Sequence, residues 1–158
     1  MKIRVLLAVV AGLGLAGCVA PVRVTSAPSL LESCGCKDIF AGFHDRVFFG
    51  FGSAALRKSA QATLVSQAAW MVKYPSVNVL VAGNADERGT ETYNLALGNS
   101  RADAARDYLV AQGVASTRIS TISYGKDCPV AAGHDDSSWQ QNRNAITSVV
   151  GFNPQSCK

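Results

Sequence analysis

The chain has 158 residues, 48% of them hydrophobic and 16% charged, enough for one domain with a real core and little else. Its formal charge of +4 falls to +2 once Lys2 and Arg4 are set aside as part of a leader. So small and scattered a charge argues against a nucleic-acid partner.

Residues 1–17 read as a signal peptide: Lys2 and Arg4 give a positive start, and Val5 to Ala16 is an apolar run too short to span a bilayer. Gly12, Gly14 and Gly17 spell the dinucleotide fingerprint, but Cys18 and Pro21 follow where a helix would have to open, so no cofactor is expected. The segment ends Leu15-Ala16-Gly17-Cys18, which resembles the bacterial lipobox. That resemblance implies that Cys18 is acylated and becomes the mature N-terminus. Cys34, Cys36, Cys128 and Cys157 then remain in an oxidising compartment. A bond between Cys34 and Cys36 would close a strained ring, so pairing toward Cys128 and Cys157 is favoured, without a choice of partners. A single C-x-C is weak evidence for a metal site.

Residues 18–43 show no sustained period and carry Pro21, Pro28 and several serines, the pattern of a flexible tether. A coil of that length has an end-to-end distance of about 28 Å. The folded domain is expected over residues 44–158. Val47 to Phe51 reads as a first strand, and Ser59 to Tyr74 as a helix with Leu64, Ala68, Met71 and Val72 on its apolar face. Val77 to Val81 reads as a second strand, followed by a polar loop, Asn84 to Arg88, between Gly83 and Gly89. Thr90 can cap the next helix, whose stripe of Leu95, Gly98, Ala102, Ala105 and Leu109 is lined by small residues. Gly113 stops it. Ile119 to Tyr124 is a third strand, Ser138 to Asn142 a short helical turn and Ala145 to Val150 a fourth strand. The order β-α-β-α-β-(α)-β implies an α/β fold with helices on a small sheet.

The densest polar cluster lies around the loop after the second strand. Asn94 and Arg101, seven residues apart, project from one helix face, expected at the edge of the core and near solvent. Leu97 adds an apolar contact beside the guanidinium. Asp86 and Arg101 read either as a salt bridge or as a receptor for a zwitterion, the carboxylate taking an ammonium and the guanidinium a carboxylate. Neither reading activates water or a nucleophile.

Gly83-Asn84-Ala85-Asp86-Glu87-Arg88-Gly89-Thr90, then Tyr93-Asn94, Leu97-Gly98 and Arg101-Ala102, resembles the signature of OmpA-like domains and, within them, of the peptidoglycan-associated lipoproteins (Pal). Ser123-Tyr124-Gly125-Lys126, Gly133-His134-Asp135 and Asn142-Arg143 extend the match, which runs from Val47 to Val149. The resemblance implies an α+β sandwich that binds the diaminopimelate of the peptidoglycan stem peptide without cutting it. By that resemblance Asp86 and Arg101 are the key ligands, and Leu97 and Arg143 line the same pocket. It also implies partnership with TolB, extending to TolA, and a place in the Tol-Pal system of cell division. Val19 follows the lipidated cysteine, where an inner-membrane lipoprotein often carries aspartate; relatives of this kind sit in the outer membrane facing the periplasm.

Two positions depart from the family pattern. Gly52 stands where aspartate or asparagine is usual, keeping a backbone amide but losing a side-chain contact that Ser53 could replace. Asn84 stands where histidine is frequent, so it can hydrogen-bond but cannot titrate. The rival class, an envelope hydrolase or metal enzyme, would rest on His44, Asp86, His134, Asp135 and Asp136. That set has no paired-histidine spacing, and the chain contains no G-x-S-x-G. A passive wall anchor without Tol partners keeps the fold and changes only the role. Because Asp86 and Arg101 are expected at the edge of the core, replacing either by alanine should remove binding and leave the fold intact.

Overall fold

The structure is a computed structural model that describes residues 45–150. The expected signal segment, the tether, and Cys18, Cys34, Cys36, His44 and Cys157 lie outside the described residues. Four strands form one sheet: β1 (Arg46–Phe48), β2 (Val79–Asn84), β3 (Ile119–Gly125) and β4 (Asn144–Val149). They run in the order β1-β4-β2-β3. β4 is antiparallel to both its neighbours, whereas β2 and β3 are parallel. The helices are α1 (Lys58–Lys73), α2 (Glu91–Ala111) and α3 (Asp136–Asn142), with a 3-10 turn at Ser116–Arg118. This is the α/β architecture expected from the element order.

The core lies between one face of the sheet and the first two helices. Val47, Val79, Val81 and Val149 from alternate strand positions meet Leu64, Ala68 and Met71 of α1 and Ala102, Ala105 and Leu109 of α2. Arg118 fastens the lower end of α1: its guanidinium donates to the carbonyls of Met71, Tyr74 and Val77. Those carbonyls belong to the last turn of the helix and the chain leaving it, where no intrahelical donor remains.

The apolar stripes are partly displaced from their expected places. Val72 is 57% exposed, because it lies one residue, and hence about 100° of helix rotation, past the buried Met71. Leu95 is 46% exposed. At that level the inward face of α2 belongs to Asn94, Gly98 and Arg101, all buried. There the helix meets a loop rich in carbonyls instead of the apolar sheet centre, so donors replace leucine. β1 stops at Phe48 rather than running to Phe51. Gly52 turns the chain with a positive φ of 59°, and Ser53 N donates to Gly50 O at 3.3 Å.

The approach of α2 to the sheet depends on two glycines. A Cβ on Gly83 would stand 1.9 Å from Gly98 O, and one on Gly98 would stand 2.2 Å from Ser123 Oγ and 2.8 Å from Gly83 O. Backbone therefore touches backbone at both glycines, with the Ser123 hydroxyl as an added side-chain obstacle at Gly98. Ser123 Oγ donates to Leu95 O at 2.7 Å across the same contact. We expect Gly83→Ala to cost about 3 kcal/mol or more, because strand and helix must separate. Gly113→Ala has only its left-handed backbone (φ 97°) to satisfy and nothing within 4 Å, so it should cost about 1–2 kcal/mol. Urea midpoints of the two variants check the order; equal losses would show that the close approach is not limiting.

Candidate functional site

The loop between β2 and α2 is held from three sides. Ala85 N donates to Gly125 O at 2.7 Å, at the place where the β2–β3 register slips by one residue between Gly83 and Asn84. Asn84 is buried, and its Nδ2 donates to Asn144 Oδ1 at 2.8 Å, tying the end of β2 to the start of β4. Asn94 Nδ2 donates to Arg88 O at 3.0 Å from the first turn of α2. That helix is capped as expected, Thr90 Oγ1 accepting from Tyr93 N at 3.2 Å.

Asp86 is carried by this loop and is 4% exposed. Its Oδ1 accepts from Arg88 Nε at 3.1 Å and Arg88 N at 3.2 Å. Its Oδ2 accepts from Arg88 Nη2 at 2.7 Å and Arg143 Nη1 at 3.1 Å. Burial by itself would raise the carboxyl's pKa, but the hydrogen bonds from Arg88 and Arg143 outweigh it and hold it below the ordinary aspartate value. Arg143 is itself buried and also donates to Phe49 O at 3.2 Å and Gln140 Oε1 at 2.7 Å. It sits behind Asp86 and fixes it, instead of lining the cavity described below.

Arg101 is 0% exposed, so the expectation that it lies near solvent is corrected. Its Nε donates to Ser53 O at 2.9 Å, Nη1 to Asn84 O at 2.7 Å and Nη2 to Gly50 O at 3.0 Å. Three of the five guanidinium N–H groups are used in this way, and the other two make no hydrogen bond among the described residues. Asp86 pairs with Arg88 and Arg143 and not with Arg101, so the simple salt-bridge reading also falls. Burial pushes Arg101 down to about 10; the nearby charge of Asp86 opposes this and that of Arg143 adds to it. Carbonyl dipoles solvate a buried cation without cancelling its charge, so its positive field remains directed at its surroundings.

Asp86, Arg101, Asn94, Leu97 and Gly52, five of the six residues expected to bind, line one small cavity together with Arg88. Phe51 and Tyr93 complete its wall. Ser53 contributes differently from expectation: its carbonyl receives Arg101, and its Oγ accepts from Ala55 N at 3.1 Å. Sequence reasoning missed Arg88, whose guanidinium lies between the rings of Phe51 (4.2 Å) and Trp139 (4.1 Å). Its signal was present, since it stands two residues after Asp86 in the quoted motif. Trp139, brought in by the short helix α3, gave no sequence signal.

Those residues of the rival enzyme reading that the structure describes do not converge. Asp135 caps α3, its Oδ1 accepting from Ser138 N at 2.8 Å, and Asp136 opens that helix. His134 Nδ1 meets Glu87 Oε2 at 2.7 Å, and Trp139 Nε1 donates to Glu87 Oε1 at 2.8 Å. Among the described residues no group of three histidine, cysteine, aspartate or glutamate side chains comes together as a metal site. Cys128 is disulfide-bonded, to a partner outside the described residues.

The OmpA family pattern matches residues 48–143. A peptidoglycan-associated lipoprotein of Mesorhizobium japonicum is 47% identical over 93% of this chain and 92% of its own length. One of Rhizobium meliloti is 46% identical over 93% of this chain and 88% of its own. Among solved structures, the peptidoglycan-associated lipoprotein of Burkholderia pseudomallei superposes with a TM-score of 0.65 at 43% identity, over 66% of this chain and 89% of that one. The C-terminal domain of Helicobacter pylori MotB, at 22% identity and a TM-score of 0.62, shares the fold. The chain therefore belongs to the OmpA family and, within it, to the peptidoglycan-associated lipoproteins.

Proposed function

We propose that this protein anchors the bacterial envelope to its wall by gripping peptidoglycan non-covalently at the Asp86–Arg101 cavity. The ligand is the zwitterionic end of diaminopimelate in the stem peptide. Asp86 receives its ammonium, the two remaining N–H groups of Arg101 receive its carboxylate, and Leu97 packs on the methylenes between. Asn94 and Arg143 hold the loop and the carboxylate in place, and Gly52 presents its backbone at the rim. Cys18 carries the lipid that fixes the chain to the outer membrane on its periplasmic side, and residues 18–43 span the distance to the wall. TolB is the proposed soluble partner, with TolA beside it. The names of the relatives support the wall-binding part.

One observation carries the reading: a fully buried arginine, paired with no acid among the described residues, lines the same cavity as a buried aspartate. For stability alone this is poor economy, since removing a guanidinium from water is costly unless charge is matched. A carboxylate ligand would supply the match.

The burial of Arg101 changes how the site must be tested. Arg101→Ala removes three buried hydrogen bonds to carbonyls and should cost about 3 kcal/mol of stability, so its loss of wall binding would be ambiguous. Asp86→Asn and Arg101→Lys, made in the full chain, keep shape or charge and are the cleaner pair. Each should lose most sedimentation with purified wall sacculi while its thermal unfolding stays cooperative. Wild-type retention by both variants would refute the site. Co-purification of TolB after crosslinking in cells checks the partner separately.

The pH dependence follows from the two shifts. Asp86 is lowered, so its charge and the stability from its arginine pairs are complete above 3.8 and vanish only as pH falls through its folded value. Arg101, at about 10, stays charged on the other side. Wall binding should therefore be level from about pH 5 to about pH 8, measured by sedimentation at constant ionic strength. A grip run by an imidazole would bend inside that window.

A further inference from the structure

The carboxylate that this grip offers to a ligand is already full. Asp86 accepts four hydrogen bonds on its two oxygens, three from Arg88 and one from Arg143. A carboxylate has about four lone-pair directions to give. The cavity beside it measures about 10 Å³, room for one water at most. In this arrangement no ammonium can reach Asp86 unless a present donor leaves.

The two arginines differ in how firmly they are held. The Arg143 side chain is 11% exposed and is also bound to Phe49 O and Gln140 Oε1. The Arg88 side chain is 33% exposed and, beyond Asp86, is held by the faces of Phe51 and Trp139. Those aromatic contacts have no directional hydrogen bond to break. Arg88 also keeps its backbone bond to Asp86 Oδ1 if its side chain swings out, so departure does not unravel the loop. Arg88 is therefore the group that can move.

The geometry points to Arg88 as an affinity-setting residue, an internal competitor that occupies the ligand's ammonium position and sets the threshold that any ligand must exceed. This inference rests on the proposed roles of Asp86 and Arg101. A ligand bearing only an ammonium exchanges one cation for another on Asp86 and leaves the field of Arg101 unmatched. A ligand bearing ammonium and carboxylate together makes the same exchange and also neutralises Arg101. Diaminopimelate carries both groups at its side-chain end, whereas lysine at the same stem position carries only the ammonium. A competitor that is closed most of the time weakens both ligands by the same factor, and only the two-point ligand still binds measurably.

The test uses the full-length chain and two synthetic muropeptides that differ only in meso-diaminopimelate or L-lysine at the third position. The wild type should bind the first and show little binding of the second. Arg88→Ala should tighten both by a similar factor, about tenfold, bringing the lysine peptide into the measurable range. Arg88→Lys, which cannot fork across both oxygens, should fall between and guards against a folding artefact. The chain has two tryptophans, so a Trp70→Phe background leaves Trp139 as the reporter. Its emission should change when the diaminopimelate peptide displaces Arg88, and should not change in Arg88→Ala. If Arg88→Ala binds the diaminopimelate peptide no better than wild type, Arg88 is a direct contact or a bystander and the inference is overturned. If Asp86→Asn binds as well as wild type, the site reading itself fails, whatever Arg88 does.

Discussion

The arrangement of this site depends on one buried side chain. Arg101 enters from the middle of α2 and donates to carbonyls on two segments far apart in sequence, Gly50 and Ser53 after β1 and Asn84 at the end of β2. Without those donors the three carbonyls would lose the guanidinium that joins them, and the two loops that form the cavity rim would have no common support. The guanidinium plane dictates their spacing, because its donors diverge at fixed angles. A lysine could supply charge but not this geometry. The residue that is proposed to read the ligand is thus also the one that builds the receptor, which ties recognition to folding.

Arg101 can reach those carbonyls because α2 lies unusually close to the sheet. The Gly83–Gly98 contact removes the side-chain layer that normally separates helix from strand, and the Ser123–Leu95 hydrogen bond fastens it. Farther along the helix the small Ala102 and Ala105 continue the approach before Leu109 fills the wider space. The close packing and the polar site are therefore one design: glycines bring the helix in, and its first half then carries donors where a more distant helix would carry leucines. The exposed Leu95 is the visible consequence.

Much of this was legible from the residues. Strand alternation at Val77, Val79 and Val81 marked the sheet face, and the small-residue stripe marked the close helix; the valines and the stripe's Ala102, Ala105 and Leu109 end in the core, whereas Leu95 does not. The seven-residue spacing of Asn94 and Arg101 put them on one face, and both line the cavity. What failed was depth. Periodicity gives an angle around a helix axis, but whether that angle meets solvent depends on what packs there. The loop covering Arg101 has no period to read. Arg88 escaped for a related reason: a loop arginine reads as solvated until Phe51 and Trp139, far away in sequence, are found on either side of it.

The balance of charge explains why such a site can be both stable and receptive. Three arginines, Arg88, Arg101 and Arg143, surround the single buried carboxylate of Asp86, while Glu87 lies nearer the solvent, bound to Trp139 and His134. The closed cavity thus holds more positive than negative charge, and the surplus resides on Arg101, where carbonyl dipoles soften it without cancelling it. Adding a lone cation would increase that surplus. Adding a lone anion would neutralise Arg101 but leave Arg88 locked over Asp86. A zwitterion leaves the total unchanged while moving positive charge outward, since Arg88 is the cation it releases to the solvent-facing rim. The favourable step is therefore a redistribution of charge, from a partly exposed arginine on Asp86 to a ligand that answers Asp86 and Arg101 together.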